Sequence, residues 1–221
     1  MYKEELETKG FFIVKNVFSN SEIQEFKNII MNYIKTNKCI TNAKGITIPD
    51  FIKRSKLEKI AEIKNNKKIN DILIEIFDNN YRFCSHNDIG INRIVGWHKD
   101  KLNGEHAIYE TCDIWNEVDG EKHEIVKVLL YLEDHSNDNH GLKVIPGSHL
   151  ERKINIKNVH QLNPAIGDII IFDQRITHRG TDRHIPHQRI LVSFGFGKNN
   201  IFTDNFEKGT VKRQNGQNKV I

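Results

Sequence analysis

Apolar residues recur every third or fourth position between residues 19 and 35. Ile23, Phe26, Ile30, Tyr33 and Ile34 fall on one stripe there, which predicts an amphipathic helix. Ser19 and Glu22 supply a capping-box pair at its start. Just upstream, residues 11–14 form a short apolar run that reads as a strand. Between residues 55 and 77, Leu57, Ile60, Ile63, Ile69, Ile72, Leu73 and Ile76 predict one or two further helices. Asp78, Asn79 and Asn80 then supply a turn.

Beyond residue 80 the pattern changes to that of strands. Segments 81–87, 89–98, 125–132, 142–145, 168–172 and 189–196 are short and rich in β-branched or aromatic residues. Turn-forming clusters at 136–141, 146–148 and 164–167 separate several of them. Helices first and strands afterwards predict an α+β, mainly β arrangement, with helices packed against an antiparallel sheet or jelly roll. Residues 198–221 are polar and weakly patterned, which suits a lid, an interface arm or a disordered tail.

Composition narrows this picture. The 221 residues contain no internal repeat and no Pro/Gly/Ser-rich linker, so one domain is expected. No stretch approaches the roughly 18 apolar residues that a membrane span requires. The N-terminus alternates charges and lacks the apolar centre of a secretory signal, so a cytoplasmic setting is expected. Cys39, Cys84 and Cys112 are odd in number and widely spaced, a poor basis for a disulfide framework or a structural zinc site. A net charge of +4 is too mild to imply nucleic acid as a partner and leaves a small-molecule substrate as the expectation.

The most informative segment is Gly96-Trp97-His98-Lys99-Asp100. In a strand, residues two apart share a face, so His98 and Asp100 can present an imidazole and a carboxylate to one metal. His178, just after the strand at 168–172, is the candidate third ligand. Two histidines and one carboxylate on one face of an iron leave three positions open, the arrangement of oxygen-activating non-haem iron sites. In a chain with 11 histidines an isolated His-x-Asp is weak evidence. Arg189 strengthens it, because it opens a strand eleven residues past His178 and can grip the distal carboxylate of 2-oxoglutarate with both arms of its guanidinium.

These motifs, with Lys127 to Leu132, Gly141 to His149 and Gly167 to Phe172, resemble in order and spacing the motifs of the phytanoyl-CoA dioxygenase family. The resemblance covers roughly residues 80 to 196, and the entry segment Gly10 to Val14 is also similar. It implies a double-stranded β-helix (a cupin-like jelly roll) at 81–197, supported by N-terminal helices within 1–80 and followed by the tail. It implies Fe(II) held by His98, Asp100 and His178, Arg189 on the 5-carboxylate of 2-oxoglutarate, and O2 as oxidant. Some members carry a hydroxyl residue two positions after the distal histidine. Gly180 stands there in this chain, so that role passes to the adjacent Thr181. A further co-substrate contact is expected from the strand at 81–87, from Asn87 or Ser85.

The resemblance also implies decarboxylation of 2-oxoglutarate to succinate and carbon dioxide. Related halogenases have a small residue in place of the carboxylate ligand, so a retained Asp100 favours hydroxylation over halogenation. Arg175 and Arg179 lie in a basic cluster with Arg183, His184 and His187, and are the expected pair for an anionic substrate group, against the alternative of a solvated basic loop. Lys127 faces either the cavity or solvent. Trp97 is expected to pack beside His98, and His123, His135, His140 and His149 to serve as loop residues rather than ligands. A zinc hydrolase using the same ligands and a catalytically silent ligand-binding protein are the competing readings. The oligomeric state is not legible.

Overall fold

The computed structural model describes residues 1–100, 113–180 and 188–219. Among the described residues, ten strands form two antiparallel sheets. They are β1 (Phe11–Val14), β2 (Ile40–Asn42), β3 (Gly45–Pro49), β4 (Tyr81–Ile91), β5 (Ile125–Tyr131), β6 (Leu142–Val144), β7 (His160–Leu162), β8 (Ile169–Asp173), β9 (His178–Arg179) and β10 (Ile190–Lys198). The larger sheet runs β1-β8-β5-β10-β4-β3-β2 and the smaller β7-β6-β9. Facing each other, they make the jelly roll. The helices are α1 (Tyr2–Lys9), α2 (Asn20–Thr36), α3 (Glu58–Ala61), α4 (Lys67–Phe77) and α5 (Ile201–Asn218).

The expected helix at 19–35 is α2. Ser19 caps it reciprocally with Glu22, and Ile23, Phe26, Ile30 and Tyr33 are buried. The first 80 residues are not purely a helical support, because β1, β2 and β3 all join the larger sheet. Within the tail at 198–221, Ile201–Asn218 form an 18-residue helix, α5, which lies against β4 and buries Phe202 and Phe206. None of the described helices is long and apolar enough to cross a membrane.

Strand β5 is buried along its whole length and serves two different layers. Val126, Val128 and Leu130 join the core under the helices, whereas Leu129 and Tyr131 join the cluster between the sheets. β10 divides the same way, with Val192, Phe194 and Phe196 toward the helices and Leu191 toward the inter-sheet space. Each aliphatic or aromatic side chain fully buried in these layers contributes about 1.5–3 kcal/mol. Two opposed sheets whose inner faces are apolar at one end and polar at the other leave a cavity between them.

The strand expected at 89–98 forms only as far as residue 91, as the end of β4. β4 runs unbroken from Tyr81 to Ile91 and stops at Asn92, whose φ of 52° lies in the left-handed region. There the Asn92 N–H donates to the Arg189 carbonyl (2.9 Å), and the Asn92 Oδ1 accepts from the Arg189 N–H (2.8 Å). The strand end is thereby tied to the start of β10. The chain then crosses to the smaller sheet and touches it at one bridge, His98 opposite His178.

Candidate metal centre and co-substrate cavity

His98 and His178 exchange both backbone hydrogen bonds, His98 N–H to His178 O at 3.0 Å and His178 N–H to His98 O at 2.9 Å. Directly opposed residues of an antiparallel pair project to the same face. Their ring centroids are accordingly 4.2 Å apart. Asp100 reaches the pair from a loop position and not from a strand. Its N–H donates to the Gln174 carbonyl at 3.2 Å, on the turn that follows β8. Asp100 Oδ1 then lies 3.3 Å from His98 Nε2, and Oδ2 lies 3.8 Å from His178 Nε2. One ligand atom from each of the three residues falls within 4.8 Å of the other two.

The imidazole tautomers follow from their outer partners. His98 Nδ1 is 2.8 Å from the Gly96 carbonyl and His178 Nδ1 is 3.1 Å from the Ile176 carbonyl. A carbonyl can only accept, so each Nδ1 carries a hydrogen, and in the neutral form of each ring Nε2 has the lone pair and faces Asp100. Burial pushes His178 down to about 4, which keeps it neutral and ready to ligate. Burial acts on His98 in the same sense, but the hydrogen bond and charge of Asp100 outweigh it and raise that histidine. Burial also opposes ionisation of Asp100. The charge of Lys127, the largest influence in the other direction, overcomes it and holds the carboxyl well below the usual range. Two imidazole nitrogens and an ionised carboxylate, converging with no thiolate, form a donor set that fits Fe(II).

The three residues open on a cavity of about 150 Å³ that is also lined by Lys127, Tyr131, Phe172, Gly180, Arg189 and Ser193. Arg189 is only 3% exposed. Its guanidinium donates through Nε to the His140 carbonyl (3.0 Å) and through Nη2 to the Tyr131 hydroxyl (2.8 Å). Among the described residues no carboxylate lies within ion-pair distance of it. A buried guanidinium of this kind is set to receive an anionic ligand. A Cβ on Gly180 would stand 3.2 Å from Arg189 Nη2, so the position two past His178 abuts the guanidinium. Thr181 lies outside the described residues, as do Cys112, Arg183, His184 and His187.

Other expected site residues are placed elsewhere. Asn87 is fully buried on the helix-side face of β4, where its Oδ1 accepts from the Ile52 N–H (3.0 Å) and its amide donates to the Ser85 carbonyl (2.9 Å). Ser85 hydrogen-bonds Glu207 of α5 at 2.5 Å. Neither lines the cavity. Arg175 forms a two-armed pair with Asp173, Nε to Oδ1 at 3.0 Å and Nη2 to Oδ2 at 2.8 Å, and donates from Nη1 to the Ile114 carbonyl. It lines a separate cavity of about 450 Å³ beside α1, α4 and residues 114–117. Arg179 stacks over Trp97 with its guanidinium carbon 5.2 Å from the ring. His135 pairs with Asp138, while His123 and His149 are buried, and none of these belongs to the three-residue cluster.

Sequence reasoning did not assign Tyr131, Lys127 or Ser193 to the cavity. The alternation along β5 and β10 carries the signal. Lys127 and Tyr131 share the inter-sheet face of β5, and Ser193 shares that of β10, once the apolar members of each strand are given to the helices. Lys99 was also missed. It points away from its two neighbours, and its ammonium donates to the carbonyls of Ser148 and Arg175 (2.8 Å to the latter). It thus braces the metal-side loop against two turns, and burial pushes it down to about 8.

A jelly roll with two histidines and an aspartate converging between its sheets, next to a buried arginine, defines a class, that of oxygenases built on non-haem iron. The family model described as "Phytanoyl-CoA dioxygenase (PhyH)" matches residues 6–189, and the chain belongs to that family. Its metal and co-substrate are therefore Fe(II) and 2-oxoglutarate, with O2 the expected oxidant. Solved structures share the fold at low identity. HygX from Streptomyces hygroscopicus, with nickel and 2-oxoglutarate bound, is 15% identical with a TM-score of 0.69, the match covering 90% of this chain and 88% of that one. SnoN, an α-ketoglutarate-dependent epimerase from nogalamycin biosynthesis, is 12% identical with a TM-score of 0.68, covering 92% and 87%. AviO1 from Streptomyces viridochromogenes is 14% identical with a TM-score of 0.65, covering 90% and 94%. No protein in the comparison with curated sequences matches the chain.

Proposed function

We propose that this protein is an Fe(II)- and 2-oxoglutarate-dependent dioxygenase that hydroxylates a small polar, anionic metabolite, releasing succinate and carbon dioxide. The observation that carries the reading is the convergence of His98 Nε2, Asp100 and His178 Nε2 in the same cavity as Arg189. In this reading the three residues hold iron, and Arg189, with the Tyr131 hydroxyl beside it, grips the distal carboxylate of 2-oxoglutarate. Iron and co-substrate together supply the oxygen-activating chemistry. The chain orients them through the carbonyls of Gly96 and Ile176, which fix the imidazole tautomers, and through the Lys99 brace. Phe172, whose ring centroid is 4.8 Å from that of His178, walls the site with an apolar surface. With Arg175 engaged by Asp173 and Arg179 stacked on Trp97, an anionic substrate group falls to the cations that line the cavity itself, among them Arg93. The unpaired thiols Cys39 and Cys84 suit a reducing cytoplasm.

Epimerisation is the second reading, because a protein sharing this fold over 92% of the chain is an epimerase. The two part at the product: a hydroxylase adds an oxygen atom to its substrate and an epimerase leaves the mass unchanged.

The test is succinate formation by anaerobically iron-loaded protein given 2-oxoglutarate and then oxygen. His178→Ala is expected to abolish it. Arg189→Lys is expected to raise the 2-oxoglutarate requirement by about tenfold or more, since a point charge replaces a two-armed donor. Wild-type protein that bound neither iron nor 2-oxoglutarate would sink the reading.

A further inference from the structure

Lys127 is the one charged side chain on the inter-sheet face of β5, whose neighbours Val126 and Val128 point to the helices. It is 9% exposed, and its ammonium lies 2.8 Å from Asp100 Oδ2, the oxygen that also faces His178 Nε2. In register it stands between Phe172 of β8 and Gly195 of β10, neither of which offers it a polar side chain. The lysine therefore leans on the same carboxylate that completes the metal-ligand set.

Resting on the iron reading above, we propose that Lys127 is a positioning residue that makes metal retention depend on the co-substrate. In the metal-free protein the tethered ammonium holds Asp100 and occupies one of its oxygens. A divalent cation entering between His98 and His178 has to share that oxygen with a fixed positive charge, and the two cations repel in a cavity where water screens little. Metal alone is then held weakly. 2-Oxoglutarate brings two negative charges into the cavity, one directed at Arg189 and one beside the metal, and removes the repulsion. Linkage makes the effect reciprocal: whatever factor 2-oxoglutarate adds to metal affinity, the metal adds to 2-oxoglutarate affinity.

A lysine that merely propped Asp100 in place would give the opposite sign, since its loss would free the carboxylate to wander and weaken the metal. The sign of the change in metal affinity therefore decides between the two roles. The experiment titrates full-length protein with Mn(II), with and without saturating 2-oxoglutarate, and reads binding from the signal of free Mn(II). Lys127→Met keeps the length of the side chain and removes the charge, Lys127→Gln is a second neutral variant, and Lys127→Arg keeps the charge. Both neutral variants are expected to bind Mn(II) alone about tenfold more tightly than wild type, within the roughly 5–150-fold range of ordinary site coupling. The gain produced by 2-oxoglutarate should shrink by the same factor, and Lys127→Arg should behave as wild type. Neutral variants that melt like wild type and bind Mn(II) alone equally or more weakly would overturn the proposal while leaving the metal site intact. Wild-type protein that binds no Mn(II) in either condition would overturn the metal site and this proposal together.

Discussion

Asp100, half-buried, and Asp173, buried, are carboxylates in the same company. Asp100 sits with His98, His178 and Lys127, and Asp173 with Arg175, His123 and His149. Each group thus has two histidines, one acid and one cation, yet among the described residues only the first brings three ligand atoms within 4.8 Å of one another. The difference lies in where the lone pairs go. Asp173 gives Oδ1 to the Arg175 backbone N–H (2.8 Å) and Nε (3.0 Å), and Oδ2 to Nη2, so both oxygens are taken by one rigid fork. His149 turns its Nε2 away to the Glu7 carbonyl. Around Asp100 the carbonyl contacts are made by Nδ1, which leaves both Nε2 atoms facing the carboxylate, and the cation is a flexible lysine rather than a fork. The same residue types make a closed structural cluster in one place and an open donor set in the other. Composition does not separate them, and hydrogen-bond direction does.

The largest expected break in this comparison is structural. Asp173→Asn removes the charge that balances Arg175, and breaking one side of a buried pair costs about 3–5 kcal/mol. Arg175 keeps some contact with solvent (15% of its side chain), which argues for about 3 kcal/mol, the low end. Denaturant unfolding should show that loss for Asp173→Asn, with metal affinity unchanged in the folded fraction. If the variant kept wild-type stability, the closed-cluster description would be wrong.

Next in size is the contrast between histidines. On the proposed ligand set, losing a ligand should exceed the 10–100-fold typical of losing an outer partner, so His178→Ala is expected to weaken metal binding by more than about a hundredfold. His149→Ala, equally buried, should leave metal affinity within about twofold and lower only the melting temperature. Isothermal titration with Co(II) distinguishes the two. Comparable losses in both variants would mean that the second cluster also takes part in holding metal.

Much of this site could be read from sequence, and the failures have identifiable causes. The convergence of His98, Asp100 and His178 was legible from the His-x-Asp spacing and the strand before His178, although His98 and Asp100 sit on a loop touching the smaller sheet at one bridge and not on the expected strand. Arg189 was legible from its place at the head of β10. The face of β4 was available but not used: Asn87 has the parity of Phe83, Ile89 and Ile91, which pack into the helix-side core, and the shift in pairing with β10 between Phe194 and Phe196 adds two residues and so preserves it. Counting by twos from Ile91 and Ile89 leaves Asn87 on the helix side. A side chain on Gly195 would run into Cys84 and His86, a close approach invisible without the register. The tail gave no sign of α5 because much of what that helix buries is polar or small, namely Thr203, Gly209, Thr210 and Gln214. Arg175 and Arg179 were grouped by proximity in sequence, and the turn after β8 sends them to different partners.

The finest distinction is between one histidine of each cluster, His123 and His98, in their response to acid. His123 is fully buried, and burial, aided by the charge of Arg175 and opposed by that of Asp173, pushes it down to about 4 from its ordinary 6.5. Above pH 6.5 neither the folded nor the unfolded chain protonates it, and it gives stability no pH dependence. Between 6.5 and about 4 the unfolded chain binds a proton that the folded chain refuses, so stability falls as the pH falls, by about 1.4 kcal/mol per pH unit for one histidine. His178, also pushed down to about 4, acts in the same sense, whereas His98 acts in reverse. Its raised value means the metal-free fold gains from its protonation below 6.5 and loses that gain as the pH rises through the raised value. Metal-free protein unfolded by urea at successive pH values should therefore lose stability below pH 6.5, and His123→Gln should flatten that slope by about 1.4 kcal/mol per unit. An unchanged slope in His123→Gln would show that this imidazole accepts its proton in the folded state, and that the Asp173 cluster is less closed to charge than its hydrogen bonds indicate.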